Sequence, residues 1–388
     1  MFKFFKISLV LICFILPGFS NANTEDSLIE DTVTSSKAKV IQVVNKEVDL
    51  EDGVFVNPVH QEITALIISG EEKGKEVSFI NDYIELKEGE IFYLKHVTNE
   101  YFKTDHYSVE DPYRIPILYI LIGLFIISVL VFGGIQGLRG LVSLFGSLFL
   151  ILYVLMPAIL NGYSPIMVSI GVSSLIIIIG SYVTHGFNKT TTSAVIGMIV
   201  TVLITGVLAY LSVHLTSLTG FSDEESIYLN FNTGGSIDFI GLLFGGIMIG
   251  LLGVLYDVAI GQAISVEELH RIGPHVSRVN IYKRAIRMGR EHIGALVNTL
   301  AIAYVGASLP LLLLFYSVSG LGSHAPIINQ EIFAVEIVRT MIGSIGLVLA
   351  VPITTLLSVF ILMKKQKEGN SEIEEKEMEE IKNHKHHH

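Results

Sequence analysis

The chain has 388 residues, a formal net charge of −11 and only 16% charged residues, where a soluble domain carries about 25%. A mean hydropathy of +0.59 assigns that deficit to lipid-facing surface. The acidic balance excludes a nucleic-acid binder, which needs basic surface to displace counterions.

Residues 1–22 read as a secretory signal peptide. Lys3 and Lys6 form a basic start, Ser8 to Phe19 an apolar stretch broken by Pro17 and Gly18, and Ser20-Asn21-Ala22 a small-residue cleavage site. An uncleaved anchor is the alternative, although the run is short for a span of about 20 residues. Cys13 is the single cysteine, so cleavage would leave no thiol for disulfides or metal ligation.

Residues 23–113 are a separate region in which acidic residues strongly outnumber basic ones. Residues 23–36 are polar and are expected to be a disordered leader. Four β-type runs follow, at 38–44, 62–68, 76–80 and 90–95. Turn signals such as Asp52-Gly53, Ser69-Gly70 and Glu88-Gly89 separate them. Closely spaced strands over residues 37–113 predict a small all-β domain, an OB-like barrel or a sandwich. Its simplest role is docking or spacing.

A transmembrane α-helical bundle is predicted over 114–363, with seven spans near 116–134, 141–160, 165–183, 193–215, 237–261, 293–317 and 334–363. Lys and Arg fall in alternate connections. Arg139 and Lys189 occupy the first and third, and Arg271, Arg278, Lys283, Arg284, Arg287 and Arg290 the fifth. The intervening connections carry none, and residues 216–236 instead hold Asp223, Glu224 and Glu225. The positive-inside rule then places the basic connections and the charged tail, 364–388, in the cytoplasm and the N-terminal domain outside the cytoplasmic membrane. The His-rich end of that tail reads as solvated chain.

Ionisable groups inside spans are costly and therefore functional candidates. Asp257 lies toward the cytoplasmic end of the fifth span. It suits a bound cation or a proton, or else a structural pair with an arginine of the following connection. Glu336 and Arg339 lie near the outer end of the seventh span, at i, i+3 on one helix face, where they can pair. Asn298 and Thr299 in the sixth span are interhelical hydrogen-bonding glue or neutral oxygen ligands. His185 is expected at the interface. Gly241, Gly245, Gly246, Gly250 and Gly253 recur down the fifth span and permit close helix packing. Pro157, Pro310 and Pro352 can each kink or break a helix, and broken helices build midplane sites in transporters. No His-Glu-x-x-His, Gly-x-Ser-x-Gly or phosphate-loop pattern occurs. The chain is therefore read as non-enzymatic, with no cofactor.

Four motifs together carry a resemblance. They are Gly133-Gly134-Ile135-Gln136-Gly137-Leu138-Arg139-Gly140; Gly250-Leu251-Leu252-Gly253-Val254-Leu255-Tyr256-Asp257 followed by Ser265 and Glu268; Met288-Gly289-Arg290-Glu291-His292-Ile293-Gly294 leading into Asn298-Thr299; and Glu336-Ile337-Val338-Arg339-Thr340-Met341. The chain resembles the YibE/F family of bacterial membrane proteins over residues 133–363, and more weakly over the outer domain. In that family Asp usually stands where this chain has Glu291, which keeps the charge and lengthens the arm by one methylene. The resemblance implies a multi-pass protein of the permease type. It also implies a cytoplasmic-side motif of Arg139, Ser265, Glu268, Arg290 and Glu291, and a partner that is either a second, shorter family member or another copy. Two functions follow as expectations. One is an ion or small-solute transporter in which Asp257, Asn298, Thr299, Glu336 and Arg339 form the pathway, without an ATP site of its own. The other is a membrane scaffold or sensor whose outer domain binds a partner or envelope ligand. A polar cavity reaching Asp257 would favour the first, and a dry, packed bundle around it the second.

Overall fold

A computed structural model of the chain describes residues 32–45, 60–99, 104–319 and 324–363. The signal peptide, Cys13, the Asp52-Gly53 turn and the charged tail lie outside the described residues. The chain divides into two units, residues 1–124 and 125–388.

The first unit holds five antiparallel strands: β1 (Thr32–Asn45), β2 (Gln61–Ile67), β3 (Glu76–Asn81), β4 (Ile91–Asn99) and β5 (Thr104–Pro112), in the order β3-β2-β1-β4-β5. The sheet is a half-barrel. The period-2 alternation of apolar residues puts Ala38, Val40, Ile63, Ala65, Ile67, Phe92 and Leu94 on one buried face. Two departures from the sequence reading stand out. β1 starts at Thr32, inside the expected leader, because Thr32 to Ser36 pair with Leu94 to Thr98 of β4. β5 was not expected at all, since its run of Asp, His, Ser and Glu hides the strand pattern.

The first unit also holds the start of α1 (Ile115–Leu150), and the second unit is helical. α1 runs through a π-helical turn (Ile151–Leu155) into α2 (Met156–Leu160). α3 (Pro165–His185), α4 (Lys189–Leu215), a short α5 (Glu224–Asn232), α6 (Phe239–Ile272) and α7 (Arg278–Ala307) follow. The last elements are α8 (Leu309–Ser319), α9 (His324–Ile328) and α10 (Glu331–Leu362). Side-chain caps mark three helix starts: Asn188 accepts from the Thr191 N–H, Asp223 from Ser226 and Asp238 from Gly241. The helix that Asp223 starts, α5, lies in a stretch read as a connection.

Among the described residues, five helices are long and apolar enough to cross a membrane, or six if α7 and α8 count as one bent span. The seven predicted spans are therefore not matched helix for helix. The first two lie in one 46-residue run, Ile115–Leu160. The expected loop at 135–140 is helical, and only Gly134 leaves helical geometry, at φ 54° and ψ −136°. That single residue reverses the chain sharply. A Cβ at Gly137 would collide with the carbonyl of Val129, although eight residues of straight helix would separate the two positions by about 12 Å. The long fifth connection also shrinks. α6 and α7 extend past their predicted ends and leave only residues 273–277 between them.

The bundle core is Met198, Val202, Phe244, Met248, Leu251, Leu255 and Leu347, drawn from α4, α6 and α10. The α4–α10 contact is antiparallel and built from small residues. The Ser193 and Ser358 hydroxyls are hydrogen-bonded at 3.0 Å. A Cβ at Gly197 would stand 2.9 Å from the Cα of Thr354, and one at Gly346 3.0 Å from the Thr205 methyl. Small residues on both helices let the backbones approach, and dispersion replaces the hydrophobic effect that lipid cannot supply.

Candidate functional site

The feature with most chemistry is the break between α7 and α8. The two helices meet at 70°. Pro310, flagged from the sequence, lacks the N–H that a continuous helix needs and clashes with the preceding turn. The helix stops at Ser308, whose N–H still reaches the Tyr304 carbonyl.

α10 passes this break with its only Glu–Arg pair. Glu336 Oε1 lies 3.3 Å from Arg339 Nη1, one turn apart, with side chains 26% and 33% exposed. The i, i+3 pairing expected from the sequence is thus present. Ser308 adds what the sequence did not reveal, since its hydroxyl donates to Glu336 Oε2 at 3.2 Å. Arg339 Nε is buried without a hydrogen-bond partner. A cavity of about 300 Å³ opens beside the pair, lined by Tyr304, Ser308, Phe315, Phe333, Glu336 and Thr340 among others. Its walls are otherwise apolar, so the Glu336 carboxylate, the Ser308 and Thr340 hydroxyls and the Tyr304 phenol are its polar marks. A second recess of about 790 Å³ shares Ile328 and Ile337 with it and holds Thr216, Ser217 and Glu331. A carboxylate shared between a guanidinium and a hydroxyl, next to a cavity, can exchange one partner for a cation or a proton. In a low-dielectric surround, breaking such a pair without replacement is costly.

The remaining predicted residues lie elsewhere. Asp257 is exposed on α6 and has no hydrogen bond or ion pair among the described residues. The expected pairing with an arginine of the next connection is not present, and no described cavity is lined by Asp257. Asn298 is likewise exposed and unpartnered, and the Thr299 hydroxyl bonds its own helix at the Ala295 carbonyl, 3.0 Å away. Neither residue forms a hydrogen bond with Asp257. Of the cytoplasmic-side motif, Ser265 donates to the Gly261 carbonyl at 2.8 Å and Glu268 pairs with Arg271 at 2.8 Å. Arg139, Arg290 and Glu291 are exposed. His185 tilts against the Tyr256 ring at 5.9 Å.

Three further arrangements escaped the sequence reading. Gln262 and Thr355 are fully buried and joined at 2.9 Å between α6 and α10. The Glu331 carboxylate at the start of α10 accepts from the Thr219 and Gly220 N–H groups at 2.8 and 2.7 Å, and also from the Thr219 hydroxyl. In the sheet, His96 lies between Glu72 (3.3 Å) and Asp105 (3.0 Å) and stacks on Tyr107 at 4.3 Å. Lys75 reaches Glu72 at 2.6 Å and Tyr107 at 2.8 Å. The Lys75 hydrogen bond, chiefly, holds the Glu72 carboxyl below its ordinary range, and the His96 hydrogen bond does the same for Asp105. No three His, Cys, Asp or Glu side chains converge to hold a metal among the described residues.

A family model described as YibE/F-like protein matches residues 121–364. No curated protein and no solved structure matches the chain.

Proposed function

We propose a transport function for this chain, which belongs to the YibE/F-like protein family and is a membrane protein. It is a permease or secondary transporter for an ion or small solute, and its working site is the α7–α8 break rather than the neighbourhood of Asp257. The observation that carries this reading is the shared Glu336 carboxylate, 3.3 Å from Arg339 and 3.2 Å from Ser308, set beside a cavity where a spanning helix is interrupted. Interrupted helices free backbone groups at membrane depth, and that is tolerable where a cavity lies alongside. In this mechanism a cation or proton competes with Arg339 for Glu336. Ser308 and Tyr304 supply neutral oxygens, and Arg339 re-forms the pair when the site empties. No phosphate loop is present in the sequence, so a gradient or a partner supplies the energy. The activity is transport rather than catalysis.

The alternation of basic connections supports an orientation with the β unit outside the cytoplasmic membrane and the tail inside. The strand order supports an OB-like half-barrel, because Lys75, just ahead of β3, reaches Tyr107 on β5 across the open edge.

Proteoliposome flux over a panel of cations, protons included, tests the proposal. Wild-type flux is expected, reduced at least roughly tenfold by Glu336→Gln and much less by Asp257→Asn. Full flux in folded Glu336→Gln protein would reject this site. The scaffold or sensor reading is favoured by one observation, the unpartnered Asp257 on the bundle exterior. It would prevail if the wild type carried nothing and the β unit captured an envelope ligand.

A further inference from the structure

The outward face of α7 is chemically wrong for lipid. Inward, the helix packs through Ala285, Gly289, Ile293, Leu296, Leu300 and Tyr304. On the opposite side lie Arg287, Glu291, Gly294, Asn298 and Ile302, all exposed. Their spacing of four, three, four and four residues puts them on one face of the helix. A Cβ at Gly294 would meet nothing within 4 Å, and Asn298 has no hydrogen-bond partner among the described residues. An amide facing hydrocarbon without a partner is costly, so protein must cover this seam.

The first arm of α1 is a spanning segment with no buried residue along its length. Its residues 115–134 carry no Asp, Glu, Lys, Arg, Asn or Gln, so it cannot answer either the amide or the charges.

A second copy can. Asn carries both donor and acceptor and is therefore its own complement across a twofold axis. Arg287 and Glu291 bring both signs to the same face, so each protomer's acid can meet its mate's base. Gly294, between Glu291 and Asn298, allows the close approach that the amide bond requires. We infer that the protein forms a twofold dimer in the membrane through parallel packing of α7 on its mate, with Asn298 hydrogen-bonded to Asn298 of the second copy. The inference stands apart from the transport reading, since its readout needs no flux.

The test uses full-length protein in its native membrane with Cys13, the single cysteine, replaced by Ser. Ala295→Cys and Ile302→Cys, both exposed on this face of α7, place a thiol on the seam and leave Asn298 intact. Val207→Cys, 60% exposed on α4, is the control. Oxidation is expected to give a disulfide-linked dimer from the two seam variants and none from the control. Single-molecule photobleaching in liposomes should show two steps for wild type. Asn298→Leu should weaken self-association roughly tenfold, consistent with about 1–2 kcal/mol for an interhelical polar contact, and Asn298→Gln should largely restore it. One-step bleaching of wild type, cross-links only to a different polypeptide, or equal cross-linking at Val207 would each overturn the inference.

Discussion

Helices α4 and α7 cross the same bundle and dispose of their polar residues in opposite ways. α4 turns Ser193, Gly197, Thr201 and Thr205 inward, where all are buried against α10. α7 turns Glu291 and Asn298 outward, where both are exposed among the described residues. Two of the three inward hydroxyls are satisfied cheaply, while Thr205 Oγ1 is buried with no hydrogen-bond partner among the described residues. Thr201 bonds the Gly197 carbonyl of its own helix at 2.8 Å and Ser193 meets Ser358. A carboxylate has no donor to offer its own helix's carbonyls, and an amide that uses its N–H in this way still leaves its oxygen open. The contrast separates two uses of polarity in a membrane: small hydroxyls for close packing, and larger groups held for a partner or a ligand.

The largest effect should come from filling the closed side. A side chain at Gly197 meets Thr354 Oγ1 at 2.6 Å and its Cα at 2.9 Å, and backbone cannot yield as a flexible side chain would. Gly197→Leu should cost about 3 kcal/mol or more, seen as a lowered unfolding midpoint in detergent. Gly294→Leu makes the same change on the open side. It should leave monomer unfolding within about 0.5 kcal/mol while weakening self-association. Equal destabilisation by the two would erase the distinction between the faces.

The contact between α4 and α10 continues past the end of α4. There Glu331 gathers the Thr219 and Gly220 N–H groups. Hydrogen bonds to a charged acceptor contribute about 1.5–3 kcal/mol each before screening. Glu331→Ala should therefore cost about 2 kcal/mol and speed hydrogen exchange at Thr219 and Gly220. Unchanged exchange there would mean that α10 is held by its apolar contacts alone.

The sequence disclosed this arrangement unevenly, for physical reasons. Long apolar runs announce helices, so α3, α4, α10 and the start of α6 were readable to within a few residues. The ends of α6 and α7 were not, because charged residues beyond the membrane look like loop although they continue the helix. Gly134 reverses the chain within one residue, which hydropathy averages away. Glu336 and Arg339 were readable as a pair because helix geometry links i and i+3. Ser308 was not, because 28 residues separate it from Glu336 in the chain. The outward placement of Asp257 and Asn298 was equally hidden, since spans apolar all round give no phase to a helical wheel.

A smaller effect tests the buried pair of Gln262 and Thr355. A double-mutant cycle with Gln262→Leu and Thr355→Val should return a coupling of about 0.6 kcal/mol. A value near zero would mean that Thr355 is satisfied by its other bond, to the Val351 carbonyl at 2.6 Å.

The smallest effect sets the bundle against the sheet. The α4–α10 contact around Ser193, Gly197, Thr201, Gly346, Thr354 and Ser358 holds no titratable group, whereas the sheet joins Glu72, Lys75, His96, Asp105 and Tyr107. Hydrogen bonds to Lys75 and to His96 hold Glu72 and Asp105, respectively, below their ordinary pKa values of 4.5 and 3.8. A carboxyl depressed in the folded state contributes stability that is complete above its unfolded value and is lost as pH falls through the folded one. The sheet should therefore loosen below about pH 4 while the bundle holds. Because Glu72 and Asp105 are 33% and 50% exposed, salt screens the contribution and keeps it small. Hydrogen exchange read separately over Glu72–Tyr107 and over α4 should show protection falling with acid in the first alone, and Glu72→Gln should flatten that dependence. Parallel loss in both would mean that acid acts on the whole chain rather than on this cluster.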